Sequence, residues 1–278
     1  MANNLYLPFL MTIKEIRDET PDIRTLKLVF NDREVAKDFQ FKSGQFGLFS
    51  VLGEGEATFC IASSPFWQDF IECCFKEMGR VTKALRTLGV GDTLGFRGPY
   101  GNGFPLERMK GRNLVFIGGG IGFPPLRSLI WNVLDRRGEF GEIIIIYGAR
   151  SVFDLVYKSE LKEWGKRKDI KLVQTVDPGG EKNGWRGEVG FVPSVLAKVA
   201  PSPENALAII CGPPVMIRYS MLALEGLNFP PQNIITTMEN KMKCGLGKCG
   251  RCNIGNIYVC KDGPVFTYAQ IKEFPDDY

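Results

Sequence analysis

The stretch Val115-Phe116-Ile117-Gly118-Gly119-Gly120-Ile121-Gly122-Phe123-Pro124-Pro125 decides the reading of the fold. A short apolar run enters a cluster of glycines, and prolines open the next segment. That order predicts a buried strand, a tight turn and a helix N-terminus. Glycines in such a turn let backbone N–H groups approach a phosphate at the positive end of the helix. The match to G-x-G-x-x-G is incomplete, because the third glycine falls on Phe123, or on Pro125 if counted from Gly120. A merely tight βα turn is the plain alternative at this point.

Downstream, strand-like and helix-like stretches alternate. Strand 114–117 leads to helix 126–136, strand 142–147 to helix 158–167, and strand 170–176 to helix 193–199. Strand 206–210 and helix 214–224 come next, with a last strand at 233–237. Such alternation predicts a doubly wound parallel sheet. Tyr147-Gly148-Ala149-Arg150 and Cys211-Gly212-Pro213-Pro214-Val215-Met216 close two of those strands. Ligands of open α/β sheets bind at strand C-termini, so Cys211 is placed beside a nucleotide, against the packing role that a lone buried cysteine has by default.

Upstream the style differs. Segments 26–30, 47–51, 59–62, 70–75 and 93–97 are short and β-rich, separated by Gly, Pro and Asp, with one helix expected at 80–88. Regular short strands with turn signals predict a small antiparallel β-barrel. The expected organisation is therefore a barrel domain over 1–110, an α/β domain over 111–228 and a small C-terminal lobe over 229–278.

Bulk composition narrows the function. Of 278 residues, 44% are hydrophobic, enough for a sizeable core, and the net charge of +4 carries no basic block of the kind nucleic-acid binding needs. The longest apolar run, Ile143–Tyr147, is far short of the ~20 residues that cross a bilayer. The opening MANNLYLPFL lacks a charged n-region with a long apolar core, so a cytoplasmic protein is expected. There is no histidine, which excludes His-based triads, His metal sites and Rieske ligation.

Eight cysteines are present, and four crowd into Cys244, Cys249, Cys252 and Cys260 with the spacing C-x4-C-x2-C-x7-C. In a chain that is not exported, such crowding favours metal ligation over disulfides. The first three match the plant-type [2Fe–2S] spacing. Gly245, Gly247 and Gly250 permit the tight curl that brings four thiolates onto two irons. Zinc is the rival, although zinc ribbons usually pair two C-x2-C knuckles and only one is present here. Lys241, Lys243, Lys248 and Arg251 either dock an acidic partner or offset the charge of the cluster.

Together these features resemble the ferredoxin–NADP reductase superfamily. Within it, the chain is similar to the flavin- and NAD-binding subunits of multi-subunit complexes: the gamma subunit of sulfhydrogenase-type hydrogenases, the corresponding subunit of anaerobic sulfite reductase, and the electron-transfer subunit of dihydroorotate dehydrogenase. The stretches Met242–Gly250 and Tyr258–Phe266 carry the hydrogenase-gamma likeness. The short Cys252–Cys260 spacing speaks against the dihydroorotate alternative, and a zinc-bearing scaffold without flavin is a third reading.

The resemblance implies FAD, one [2Fe–2S] cluster and NAD(H), with NADP(H) left open. Its first flavin motif, Arg-x-Tyr-Ser, falls on Ala57-Thr58-Phe59-Cys60, with alanine in place of the arginine. Its second, Gly-x-x-Ser/Thr, is intact as Gly79-Arg80-Val81-Thr82, where Thr82 suits a diphosphate and Arg80 is expected to replace the lost arginine in part. The implied FAD contacts are Phe59, Cys60, Ile61, Ala62, Phe75 and Gly79 to Thr82. Implied NAD contacts are Gly119, Gly120, Ile121, Gly122, Gly148, Ala149, Arg150, Asp177, Cys211, Gly212, Pro213 and Met216. Cys60 and Cys211 would flank the reacting rings, and Asp177 after the third strand leans toward NAD. The expected partners are other subunits of an electron-transfer complex: a hydrogenase, a heterodisulfide or sulfur reductase, or a ferredoxin-type carrier.

Overall fold

Residues 4–275 are described by the computed structural model. They form two compact units, one of the described residues up to Phe104 with Arg127–Asn132 and Met238–Pro264, the other of Pro105–Leu126, Val133–Thr237 and the described residues from Val265 onward.

The first unit is built on strands β1 (Phe9–Thr20), β2 (Ile23–Phe30), β3 (Phe46–Val51), β4 (Gly55–Cys60), β5 (Ile71–Lys76) and β6 (Thr93–Tyr100). All pairings are antiparallel, in the order β4-β3-β6-β1-β2-β5. Inward residues Met11, Ile13, Leu26, Leu28, Phe49, Ile61, Phe75 and Phe96 make its core. Helix α1 (Arg33–Asp38) is capped by Asp32, and α2 (Arg80–Thr87) begins at Gly79. The strand expected at 59–62 starts earlier and stops at Cys60. Ile61 and Ala62 leave the ladder because their N–H groups bond to Gln45 and Glu72 carbonyls instead, at 3.0 and 2.8 Å.

In the second unit, α3 (Leu106–Met109) leads into β7 (Asn113–Gly119), α4 (Phe123–Leu134), β8 (Ile143–Ala149), α5 (Lys158–Trp164) and β9 (Lys171–Val176). Then come β10 (Glu188–Val189), α6 (Val192–Val199), β11 (Ala206–Cys211), α7 (Pro214–Gly226) and β12 (Ile234–Thr237). Strands β7 to β12 are parallel, as expected, in the order β10-β9-β8-β7-β11-β12. The strands buried on both faces, β8 and β11, read as unbroken apolar runs for that reason.

The stretch expected as a separate lobe, 229–278, is divided between the units. Its cysteine segment holds a small hairpin, β13 (Asn253–Ile254) with β14 (Ile257–Tyr258), and the short helix α8 (Val259–Asp262). After it, β15 (Val265–Thr267) adds antiparallel to β12, followed by α9 (Tyr268–Ile271). The segment is too short for a core of its own, and β15 buries Val265 and Phe266 on the sheet edge.

Candidate functional site

Parallel register assembles the glycine turn. Gly118 lies opposite Cys211 on one side and Tyr147 on the other, and Gly119 lies opposite Gly148. The glycine turn, Tyr147–Arg150 and Cys211–Met216 therefore share one edge of the sheet. They touch closely: a Cβ on Gly119 would collide with Met216 Sδ, and one on Gly122 with the Gly212 backbone. Gly120, at φ +50°, is different, since nothing lies within 4 Å of where its Cβ would be. Backbone at that glycine can be approached closely from outside.

The missing third glycine has a structural reason. Phe123 is fully buried and stacks on Tyr147 at 4.0 Å between ring centroids, with Trp164 edge-on at 6.1 Å. Gly118 makes the room, because a Cβ there would strike the Phe123 ring. Burying such a ring is worth roughly 1.5–3 kcal/mol. Tyr147 also holds the turn: its hydroxyl donates to the Gly120 carbonyl at 3.2 Å and accepts from Val156 N–H at 3.1 Å. Sequence reading missed that role; the Gly118–Phe123 pairing was its only signal. Gly148, an expected contact, is small for packing reasons, since a Cβ there would meet Val192 and Thr175.

Arg150 and Asp177 come together after β8 and β9, where Asp177 N–H donates to the Ala149 carbonyl at 3.1 Å. Burial pushes the Asp177 carboxyl above the usual range, against the pull of Arg150. Cys211 is buried, and its Sγ accepts from Thr237 Oγ1 at 3.2 Å.

In the first unit, Phe59 is half-buried with its ring 5.9 Å from both Phe49 and Phe75. Ile61 and Phe75, expected as FAD contacts, direct their side chains into the barrel core and leave only backbone for a ligand. Burial pushes the Cys73 thiol well up, and neighbouring Cys60 and Cys74 add to it. At the second motif, Thr82 Oγ1 accepts from Met78 and Gly79 N–H at 2.9 and 2.8 Å and donates to the Gly79 carbonyl at 3.0 Å. Its hydroxyl therefore closes the helix cap rather than pointing outward. Arg80 is exposed and bonds to Glu54 at 2.7 Å and to the Gly53 carbonyl at 3.0 Å. It is thus engaged with the β3–β4 turn.

The four cysteines converge as two pairs: the Cys244 thiol meets Cys249, and the Cys260 thiol meets Cys252. Among the described residues no three or more Cys, Asp, Glu or His side chains meet at a single-ion position. Gly245, Gly247 and Gly250 adopt φ of +74°, +70° and +73°, the left-handed curl that the spacing demands. N–H groups of Leu246 and Lys248 point at Cys244 Sγ, both at 3.4 Å, and Gly247 N–H at Cys260 Sγ at 3.2 Å. Burial works to raise the Cys244 thiol, yet these donors and Cys249 bring it down to about 6. Burial and the Cys252 thiol push Cys260 up to about 12. Four thiols in pairs, ringed by inward N–H groups, fit a binuclear iron–sulfur cluster.

The loop is seated on the barrel. Thr58 Oγ1, inside the first flavin motif, donates to the Met242 carbonyl at 3.1 Å. Gly245 lies against the Tyr100 ring, and Gly101 against Pro264. Asn102 N–H donates to the Gly263 carbonyl at 2.7 Å.

Two families of known proteins match stretches of the chain. The family described as oxidoreductase NAD-binding domain matches residues 116–221. The iron–sulfur cluster binding domain of dihydroorotate dehydrogenase B matches 239–272. Sulfhydrogenase 1 subunit gamma of Pyrococcus furiosus is 40% identical, over 88% of this chain and 86% of that protein. A probable electron-transfer subunit of dihydroorotate dehydrogenase B from Thermococcus kodakarensis is 35% identical, over 92% and 94%. The chain belongs to this family of electron-transfer subunits. It is an oxidoreductase subunit with an NAD-binding domain and an iron–sulfur cluster binding domain, on the fold of the ferredoxin–NADP reductases. Among solved structures, an NADH-dependent reduced ferredoxin–NADP oxidoreductase shares the fold, with a TM-score of 0.76 at 21% identity over 100% of this chain and 92% of that one. A ferredoxin–NADP reductase from Neisseria gonorrhoeae shares it at a TM-score of 0.67 and 21% identity, over 82% and 96%. The cluster domain of the dihydroorotate branch is matched across Cys252–Cys260 as well. No helix among the described residues is long and apolar enough to cross a membrane.

Proposed function

We propose that this subunit exchanges electrons between NAD(H) and a partner subunit, with FAD held on the barrel and one [2Fe–2S] cluster held by Cys244, Cys249, Cys252 and Cys260. Bound there, FAD supplies hydride exchange with nicotinamide and the cluster supplies one-electron transfer. The observation that carries the reading is the seating of a paired-thiol loop on the strand of the first flavin motif, through Thr58 and Met242. Cys244 with Cys249 would hold one iron, and Cys252 with Cys260 the other.

The remaining roles belong to binding and alignment. Gly120 gives the pyrophosphate of the dinucleotide its closest approach, at the start of α4. Asp177 faces the adenosine ribose and favours NAD(H), while Arg150 beside it keeps NADP(H) usable. Gly79 and the first turn of α2 face the flavin diphosphate, and Phe59 covers the flavin ring. Cys60 and Cys211 shape the surroundings of the two rings as buried or half-buried thiols. Four of the eight cysteines grouped as cluster ligands support a reducing, cytoplasmic setting.

Anaerobic addition of NADH to the FAD-loaded protein should bleach the visible flavin band, and freezing should then show the signal of a reduced [2Fe–2S] centre. An unchanged flavin band refutes the hydride step. A colourless preparation holding zinc refutes the cluster. A second reading, service to dihydroorotate oxidation, rests on the match of the cluster domain over 239–272. Co-purification with a dihydroorotate-oxidising subunit would put it first.

A further inference from the structure

Just beyond Cys60 the chain leaves the sheet while still buried: Ile61, Ala62, Ser63 and Ser64 are each 0% exposed. Buried irregular backbone needs a partner for each polar group. The N–H groups of Ile61 and Ala62 have theirs in Gln45 and Glu72. The carbonyls are served by α4. Arg127 Nη1 donates to the Ala62 carbonyl at 2.7 Å, and Ser128 Oγ donates to the Ser63 carbonyl at 2.7 Å. Glu72 N–H, in turn, donates to Ser63 Oγ at 3.2 Å.

Arg127 is itself 1% exposed, a costly place for a charge. The same Nη1 meets one oxygen of the buried Glu72 carboxylate at 2.5 Å, and Arg17 Nη2 meets the other at 2.7 Å. The guanidinium also lies 5.5 Å over the Trp67 ring. Buried ionic triads seldom add stability over well-packed apolar residues of the same volume. Fold stability alone therefore gives this one little reason to exist. What distinguishes it is its target: the carbonyl two residues beyond the first flavin motif, in a chain that has alanine where that motif has arginine.

We infer that Arg127 is a positioning residue for the flavin. It locks Ile61–Ser64, and so presents Phe59 and Cys60 in one backbone conformation. Arg17 and Arg127 share the carboxylate of Glu72, and Arg17 is itself balanced by Glu15 at 3.2 Å and Glu19 at 3.7 Å. The inference rests on the reading that the Phe59–Cys60 strand holds FAD.

The test uses the full-length protein with its cluster, stripped of FAD and titrated with it. Arg127→Lys keeps the charge but loses the planar guanidinium, whose Nη1 serves both acceptors and whose face lies over the Trp67 ring. The double variant Arg127→Met with Glu72→Met removes the clamp without stranding a buried charge. Expected for the double variant are FAD affinity at least tenfold weaker and an altered visible circular dichroism of bound flavin. Arg127→Lys should fall between it and the wild type. Cluster electron paramagnetic resonance reports on the fold. If the double variant does not fold, Arg127→Lys decides alone. Wild-type affinity and dichroism in the folded variants would overturn the proposal, even if their melting temperatures fall, because that outcome is purely structural. A wild-type protein that takes up no FAD would overturn the functional reading itself, and this proposal with it.

Discussion

Gly120 and Gly122 stand in one turn, yet they lack a side chain for opposite reasons. A Cβ on Gly122 would strike Gly212 Cα and N, backbone atoms that cannot rotate away. Forcing a methyl into a packed contact costs about 1–3 kcal/mol, occasionally more. A Cβ on Gly120 would meet no protein atom within 4 Å, and the penalty there is the left-handed φ of +50°, roughly 1–2 kcal/mol for alanine. Stability alone will separate the two variants poorly. Ligand affinity should separate them well, because the open space beside Gly120 is where the dinucleotide pyrophosphate would approach. Gly120→Ala should weaken NADH binding at least tenfold, about 1.4 kcal/mol, with only its backbone cost in stability. Gly122→Ala should lose stability toward the upper end of its range, and lose NADH affinity only as Gly212 and Met216 are displaced. Urea unfolding gives the first quantity, and NADH fluorescence titration the second. Wild-type NADH affinity in Gly120→Ala would refute the assignment of this turn as the pyrophosphate cradle.

Three further outcomes rest on the geometry. Cys249→Ser, which alters the exposed member of the four thiols, should abolish the cluster signal and lower bound iron while FAD uptake persists; loss of both together would mean that the loop holds the barrel in shape. Asp177→Ser leaves Arg150 in place and should raise the NADPH-to-NADH ratio of kcat/KM at least tenfold, about 1.4 kcal/mol; an unchanged ratio places the ribose elsewhere. The hydrogen bond from Arg24 holds the Asp18 carboxyl below the usual carboxylate range, so its contribution is complete above about pH 3.9 and is lost as pH falls through the depressed value. Asp18→Asn should flatten the acid limb of the urea midpoint, and parallel limbs in variant and wild type would contradict this.

The parallel sheet was legible because its strands and helices alternate with their own periods, and because strand C-termini carry Gly118–Gly122, Tyr147–Arg150 and Cys211–Met216. The cysteine spacing was legible for a similar reason, since a tight loop around metal admits few residues besides glycine. Other features depend on contacts distant in sequence. Nothing local shows that Ile61 and Ala62 leave the ladder, because their partners Gln45 and Glu72 come from other segments. Nothing local announces that Thr82 spends its hydroxyl on its own helix cap, since the same Gly-x-x-Thr suits a diphosphate. The division of 229–278 between two units was hidden by its cysteines, which read as one lobe. The apolar Val265–Phe266 pair, which returns to the sheet edge, was the available clue.

The absence of histidine gains a meaning from the buried thiols. Cys211 accepts a hydrogen bond from Thr237 at 3.2 Å and is closed to solvent, which suits neither a nucleophile nor a proton carrier. Cys73 is driven toward its neutral thiol by burial first, and then by Cys60 and Cys74. Hydride exchange between two bound rings asks the protein for placement and a dry surrounding rather than for a proton at a fixed atom. The chain is equipped in that way: small residues where backbones must meet, as at Gly122 and Gly212, and buried polar clamps where loops must not move, as at Arg127 and Tyr147. On that basis kcat for NADH oxidation should vary little between about pH 6 and 9, the ordinary span of His and Cys titration, apart from the titration of the acceptor. A steep dependence centred within that range would reveal a protonating group for which these side chains offer no candidate.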